Sequence, residues 1–402
     1  MQVDKNMSTI LLYPLINCPV NCEYCFANPE MPKQKYNKEL MVKTLEEISL
    51  DRRDTIILHG GEVLSLPIED FEYFLKAMYK LRGQTHIQTS LMGLKPKHIK
   101  LFKKYKTNIG ISVDGPPELN ILRGPRDPEL NKFYQKQIIE NIEWLRDEDI
   151  YFGSIAVLSK CNAIGDKLET LIKWSKDNKI GGRFNPMFVP FWSKTLSQYQ
   201  LTPEELKIAW IRLAEECLND YTLSWQPTRE FIDNLIGCGN LGCCVVNRCD
   251  YLTTACKTIM PDGNIARCDR CFQDGYYYIS DRPITTRAEI LQQTECKGCR
   301  YFEICGGGCA GEGVNGDVRR KTYYCEAYFG LYEFLEKKIR GMFPNVLLTP
   351  DIPNYYNNYM NGQRINFVER FQPSSWLTNS QQSNNFDLGH EDHCFGECKN
   401  ER

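Results

Sequence analysis

"NCPVNCEYCF", residues 17–26, places Cys18, Cys22 and Cys25 on one short loop in C-x3-C-x2-C spacing. The loop follows the apolar run STILLYPLI at 8–16, which has the length of a buried strand. The next cysteine in the chain is Cys161, so the three thiols form a trio with no fourth in sequence reach. Three thiolates suit a soft metal. A structural zinc ion takes four protein ligands and is closed. Three cysteines on one loop instead fit a four-iron cluster in which one iron keeps an open position.

Downstream of the loop, strand-like and helix-like segments alternate. DTIILHGGE (54–62) reads as a strand running into a Gly-Gly turn, and THIQTS, TNIGISVDG, FGSIAVLS and GRFNPMFV read as further strands. Helical periodicity covers 37–50, with Asn37 as N-cap, and 67–81, opened by Pro67. Amphipathic helices are expected near 96–105, 130–147 and 163–177. Such repeats build a parallel sheet, open or curled toward a barrel. Chemistry in these sheets sits at the C-terminal strand ends. Cys18 to Cys25, Gly60 to Glu62, Gln88 to Ser90 and Ser112 to Gly115 all fall at those ends.

The 402 residues allow two or three domains, and 42% apolar with 25% charged residues is ordinary for a globular chain. A net charge of -2 gives no electrostatic reason to bind nucleic acid or an anionic membrane. No export signal and no bilayer-length apolar run are present, so the chain is expected in the cytoplasm. Nineteen cysteines, an odd number in a reducing compartment, argue for metal or iron–sulfur ligation over disulfides. Cys161 and Cys217, in apolar stretches, read as packed thiols. Near 236 the texture turns Cys- and Gly-rich, a helix returns only at 325–342, and residues 343–402 are rich in Asn, Gln and Ser. The expected divisions are therefore 1–235, 236–342 and a loosely packed tail over 343–402.

The three-cysteine loop with Tyr24 and Phe26 around its last thiol, GGE after the second strand and SVDGP after the fourth resemble the radical S-adenosylmethionine (radical SAM) superfamily over roughly the first 230 residues. The resemblance implies a partial (β/α)6 barrel of the TIM type, with SAM chelating the open iron of a [4Fe-4S] cluster held by Cys18, Cys22 and Cys25. Reductive cleavage of SAM then gives a 5′-deoxyadenosyl radical that takes a hydrogen atom from substrate. By the same resemblance Gly60, Gly61 and Glu62 receive the SAM amino group. Ser112 and Asp114 lie near its ribose and carboxylate, Arg123 pairs with the carboxylate, and Gln88 belongs to the same site. Val63 stands where relatives often carry proline, which removes no chemical group.

In the second half, Cys249, Cys256 and Cys268 precede a C-x2-C-x5-C-x3-C run formed by Cys296, Cys299, Cys305 and Cys309, and Cys325 follows. The pattern resembles the SPASM extension of radical SAM enzymes, a small Cys-rich domain with two auxiliary [4Fe-4S] clusters, giving three clusters in all. Carried over by position, the first would use Cys249, Cys256, Cys268 and Cys309, and the second Cys296, Cys299, Cys305 and Cys325. Cys271 competes with Cys268 as a ligand, and a pair of zinc ribbons is the plainer alternative. Cys238, Cys243 and Cys244 are expected to pack. The tail's His390, His393, Cys394 and Cys398 could accept zinc or lie in unstructured chain.

SPASM proteins mostly modify peptides or proteins. The favoured expectation is an oxidoreductase that forms a thioether or carbon–carbon crosslink in a ribosomally made peptide. The alternative is an anaerobic sulfatase-maturating enzyme oxidising Cys or Ser to formylglycine, and Asp269 matches the aspartate that such relatives use as a base. Implied partners are the precursor peptide or protein substrate and an electron donor such as flavodoxin or ferredoxin. A separate peptide-recognition protein is a further expectation, since no peptide-binding segment precedes Met7. A non-enzymatic iron–sulfur electron carrier would leave Gly60–Glu62 and Ser112–Asp114 unexplained.

Overall fold

The structure, a computed structural model, describes residues 9–16, 18–25, 35–48, 54–189, 195–220, 222–237, 256–266, 286–317, 319–355 and 358. Seven strands lie side by side in chain order: β1 (Thr9–Leu12), β2 (Thr55–Leu58), β3 (Thr85–Thr89), β4 (Thr107–Ser112), β5 (Phe152–Leu158), β6 (Gly182–Pro186) and β7 (Trp225–Gln226). All their pairings are parallel. The crossovers carry α1 (Lys38–Ile48), α2 (Ile68–Arg82), α3 (Pro96–Lys104), α4 (Pro128–Asp147), α5 (Asp166–Asp177) and α6 (Pro203–Asn219). β8 (Cys256–Ile259) pairs parallel with the other side of β1, and β9 (Ile265–Ala266) pairs antiparallel with β8. Among the described residues β7 and β9 do not pair, so the sheet is a partial barrel.

Local chemistry sets the helix starts and stops. Asn37 Oδ1 accepts the Leu40 amide at 3.0 Å, as an N-cap should. Asp127 caps α4 through the amides of Glu129 and Leu130, and Thr202 and Glu205 form a reciprocal capping box on α6. α2 stops at Gly83, whose φ of 73° is costly for any residue with a Cβ.

Along the strands one face packs and the other stays partly open. Ile56, Leu58, Ile87, Ile109, Ile111, Leu158 and Phe184 are buried, and Phe71, Phe74, Met78 and Phe102 of α2 and α3 join one of the cores they form. Residues of the opposite parity, Gln88, Asn108, Gly110, Ser112, Arg183 and Asn185, are half-buried. Alternation of this kind aims their side chains at the concave side of the sheet.

Packing runs across both expected boundaries. β8, assigned to the second part by composition, extends the barrel sheet beyond β1. A second core joins Trp210 and Trp225 to Phe231 of α7 (Thr228–Leu235) and to Tyr328, Tyr332 and Leu335 of α10 (Cys325–Met342). Residues Leu348 and Thr349, within the stretch expected to be loose, are fully buried, and Thr349 Oγ1 donates to Asn234 O at 2.9 Å. The Cys-rich stretch also holds α8 (Thr286–Gln293) and α9 (Phe302–Cys305), contrary to a helix returning only at 325. Helices of eight residues or fewer carry too little period to be read from sequence. No helix among the described residues is long and apolar enough to cross a membrane.

Candidate active site

The three-cysteine loop leaves the C-terminal end of β1, with Asn21 at a φ of 56° making its reversal. Burial, first of all, raises the Cys18 thiol above its ordinary range. Burial likewise pushes Cys22 up to about 12, opposed by the Arg123 guanidinium and raised further by Cys25. Such thiols keep their protons until a cation takes the sulfur. The loop after β4 clasps this one. Glu23 N donates to Leu122 O at 2.9 Å, and the Gly124 amide reaches Cys22.

Asp114 is the centre of that clasp. It is 2% exposed. Its Oδ2 accepts the Tyr24 hydroxyl at 2.5 Å, and its Oδ1 accepts Arg123 Nε and Nη2 at 3.1 and 2.9 Å and the Val157 amide at 2.8 Å. Its own amide donates to Asn120 Oδ1, and Asn162 Nδ2 donates to its carbonyl. The Arg123 guanidinium also lies 5.3 Å from the Tyr24 ring centre and donates to Ile155 O. Asp114 and Arg123 thus pair with each other and brace the three-cysteine loop. Sequence reasoning missed Tyr24 and Asn120 as their partners.

Gly60 and Gly61 form the turn after β2. At a φ of 133°, Gly60 sits so close to Leu15 that a Cβ would come within 2.6 Å of Leu15 O. Gly61 N donates to that same oxygen. The Glu62 carboxylate is buried and uses both oxygens internally. Oε1 accepts Leu64 N and Thr89 Oγ1, and Oε2 accepts Ser90 N and Ser90 Oγ. Four acceptor directions are about all a carboxylate has. Glu62 therefore fixes the turn to the end of β3.

On the concave face, Gln88 Nε2 donates to Ser112 Oγ at 2.8 Å. The side chain crosses directly over Gly110, where a Cβ would meet Gln88 Oε1 at 2.1 Å. Nearby, the buried Tyr134 hydroxyl forms no hydrogen bond of normal geometry among the described residues, and it lies in the field of Cys22, Arg123 and Glu62. A polar tip in the field of Cys22 is what a cluster with a bound polar ligand would satisfy, so these residues fit that group.

A second thiol group forms 271 positions beyond Cys25, starting at Cys296. Cys296 and Cys299 lie in the turn after α8, Cys305 ends α9 and Cys325 begins α10. They perturb one another electrically: burial first, then Cys325 and Cys299, pushes Cys296 up to about 11. Burial, then Cys325, also raises Cys305. The four thiols expected to serve one auxiliary cluster therefore lie within electrostatic reach of one another. Of the other set, Cys256 opens β8 opposite Thr9, at the end of β1 away from the three-cysteine loop, and Cys309 is buried. Cys249, Cys268, Asp269 and Cys271 lie outside the described residues, as do Cys238, Cys243, Cys244, His390, His393, Cys394 and Cys398. Among the described residues no three Cys, His, Asp or Glu side chains converge on a single-ion site.

Residues 12–160 match the family model of the radical SAM superfamily. The chain carries a radical SAM domain. A radical SAM domain works with a [4Fe-4S] cluster and SAM, in keeping with the donor set on its first loop. The chain is 21% identical over 367 residues to the cysteine-type anaerobic sulfatase-maturating enzyme of Clostridium perfringens (strain 13 / Type A), covering 82% of this chain and 96% of that one. It is 28% identical over 159 residues to the serine-type enzyme of Bacteroides thetaiotaomicron, covering 36% and 38%. Beyond the radical SAM domain, the structure of native anSMEcpe with bound AdoMet and Cp18Cys peptide superposes with a TM-score of 0.68 at 20% identity, over 84% of this chain and 99% of that one. Streptococcus suis SuiB bound to precursor peptide SuiA gives a TM-score of 0.54 at 15% identity, over 80% and 76%. The fold is that of radical SAM enzymes with a Cys-rich extension.

Proposed function

We propose that this chain is a radical SAM peptide maturase that forms a thioether or carbon–carbon crosslink in a ribosomally made peptide. One observation carries the reading: the three-thiol loop and the polar groups Gln88 and Ser112 sit at the C-terminal strand ends of an open barrel, while a separate four-thiol group lies in the second half. Bound there, the cluster and SAM supply a radical that removes one hydrogen atom from the substrate. The protein's own work is to hold and shield. Cys18, Cys22 and Cys25 would hold the first cluster, the Gly60–Glu62 turn would receive the SAM amino group, and Gln88 and Ser112 would orient its polar groups. Cys296, Cys299, Cys305 and Cys325 would hold a closed cluster able to take the second electron that an oxidation must release. Cys249, Cys256, Cys268 and Cys309 would hold a third, and a flavodoxin or ferredoxin would supply the starting electron.

Formylglycine formation is the second reading. The match to a sulfatase-maturating enzyme along 96% of that enzyme's length favours it. In that case Asp269 would take the proton from the target side chain. The test is anaerobic incubation of the reconstituted protein with SAM, reductant and peptides encoded beside its gene, followed by mass spectrometry. Loss of two hydrogens, mapped by fragmentation to a new bond, is expected for the crosslink. Replacement of a thiol by an aldehyde oxygen in a sulfatase peptide would favour the second reading. SAM cleavage with no change in either substrate would overturn both.

A further inference from the structure

Cys305 and Cys309 are separated by three glycines, all with left-handed backbone: φ is 59° at Gly306, 87° at Gly307 and 70° at Gly308. Three consecutive residues of this kind turn their carbonyls to a common side, and Arg287 of α8 fills the space they face. The residue is 7% exposed. Its Nη1 donates to Gly306 O at 3.3 Å and Gly308 O at 3.2 Å, and its Nη2 donates to Gly307 O at 3.2 Å and Arg320 O at 2.8 Å. There is no room for side chains in the turn: a Cβ on Gly307 would meet Leu291 at 2.4 Å, and one on Gly308 would meet Thr322 at 2.4 Å. Thr322 N donates to Gly307 O, and Cys325 N donates to Thr322 O. The same glycine turn is therefore tied to Cys325 as well as to Cys305 and Cys309.

Resting on the reading that Cys296, Cys299, Cys305 and Cys325 hold an iron–sulfur cluster, we propose that Arg287 is its positioning and potential-setting residue. The planar fork holds the triglycine turn so that Cys305 points to this cluster while Cys309 serves a different one. Its buried charge favours the reduced, more negative cluster and so raises the reduction potential. An ammonium would preserve the charge but lacks the fork for four carbonyls.

The experiment uses the full chain carrying Cys18→Ala, Cys22→Ala and Cys25→Ala, reconstituted anaerobically, so that only the second-half centres report. Arg287→Lys and Arg287→Met are compared with that parent by iron content and by an electron-paramagnetic-resonance redox titration. Arg287→Met should lower the reduced-to-oxidised ratio at fixed potential at least tenfold, a midpoint shift of about 59 mV for one electron. Arg287→Lys should lose iron more readily yet titrate near the parent. Failure of Arg287→Met to assemble iron, with Arg287→Lys assembling and titrating normally, would also support the proposal. Parental midpoints in Arg287→Met, or lower iron in both variants with midpoints unmoved, would overturn it. A parent without iron would overturn the cluster reading itself, a result distinguishable from either.

Discussion

The Tyr24 hydroxyl meets Asp114 Oδ2 at 2.5 Å, joining the residue between Cys22 and Cys25 to the end of β4. A hydrogen bond to a charged group contributes about 1.5–3 kcal/mol. Tyr24→Phe removes that bond and keeps the ring over Arg123. Iron loss to a chelator should therefore quicken about tenfold or more, while the overall fold, followed by circular dichroism, is unchanged. Chelation at the wild-type rate would show that the bond does not hold the loop.

Gly110→Ala tests the path of Gln88. The added methyl lands on the far end of a flexible side chain, so the strand survives and Gln88 leaves Ser112. SAM affinity, measured by equilibrium dialysis on reconstituted protein, should fall about tenfold, the equivalent of one hydrogen bond. Gln88→Ala should match it. Unchanged binding in both would remove Gln88 from the site.

For Glu62 the informative change is to glutamine. One fixed backbone amide faces each carboxylate oxygen, Leu64 N at Oε1 and Ser90 N at Oε2. Whichever way the new amide turns, its NH2 opposes a backbone N–H. A cost of about 1–3 kcal/mol follows, readable by denaturant unfolding of the metal-free protein. A cost near zero would mean that the turn does not depend on the carboxylate.

His98 gives a pH dependence. Its ring is 1% exposed, packs against Phe71 and Phe102, and accepts the Lys95 amide on Nδ1 at 3.1 Å. Burial, helped by Lys95, pushes its pKa down to about 4. The fold thus favours the neutral ring. The contribution is full above the unfolded value near 6.5 and is lost as pH falls from there toward 4, amounting to about 3 kcal/mol. His98→Asn keeps an acceptor for Lys95 and cannot titrate. Between pH 7 and 4 the wild type should lose that much more stability than the variant, and equal losses would sink the assignment.

Much of this was legible because period and turn chemistry are local. The helices expected at 37–50, 67–81 and 325–342 are found at 38–48, 68–82 and 325–342, and the loops bearing Cys18 and Gly60 do follow β1 and β2. What escaped was long-range pairing. The partner of Asp114, Tyr24, lies 90 positions away and nothing near SVDGP announces it. The bonds from Thr89 and Ser90 to Glu62 were hidden in the same way, since those residues belong to another strand. The four-residue α9 and the eight-residue α8 fall below the span in which apolar period declares itself. With α8 hidden, Arg287 read as one more charge in a loop.

The pairing of β8 with β1 makes the order of synthesis matter. Thr9 to Leu12 bond on one side to β2, which is made early, and on the other to Cys256–Ile259. At ordinary elongation rates the second neighbour leaves the ribosome on the order of tens of seconds after the first strand. Throughout that interval the strand that carries the three-thiol loop is an open edge, the kind of surface on which chains aggregate. A nascent chain halted before residue 256 would therefore keep its three thiols next to a sticky edge, and iron loading is safest once the second half has emerged.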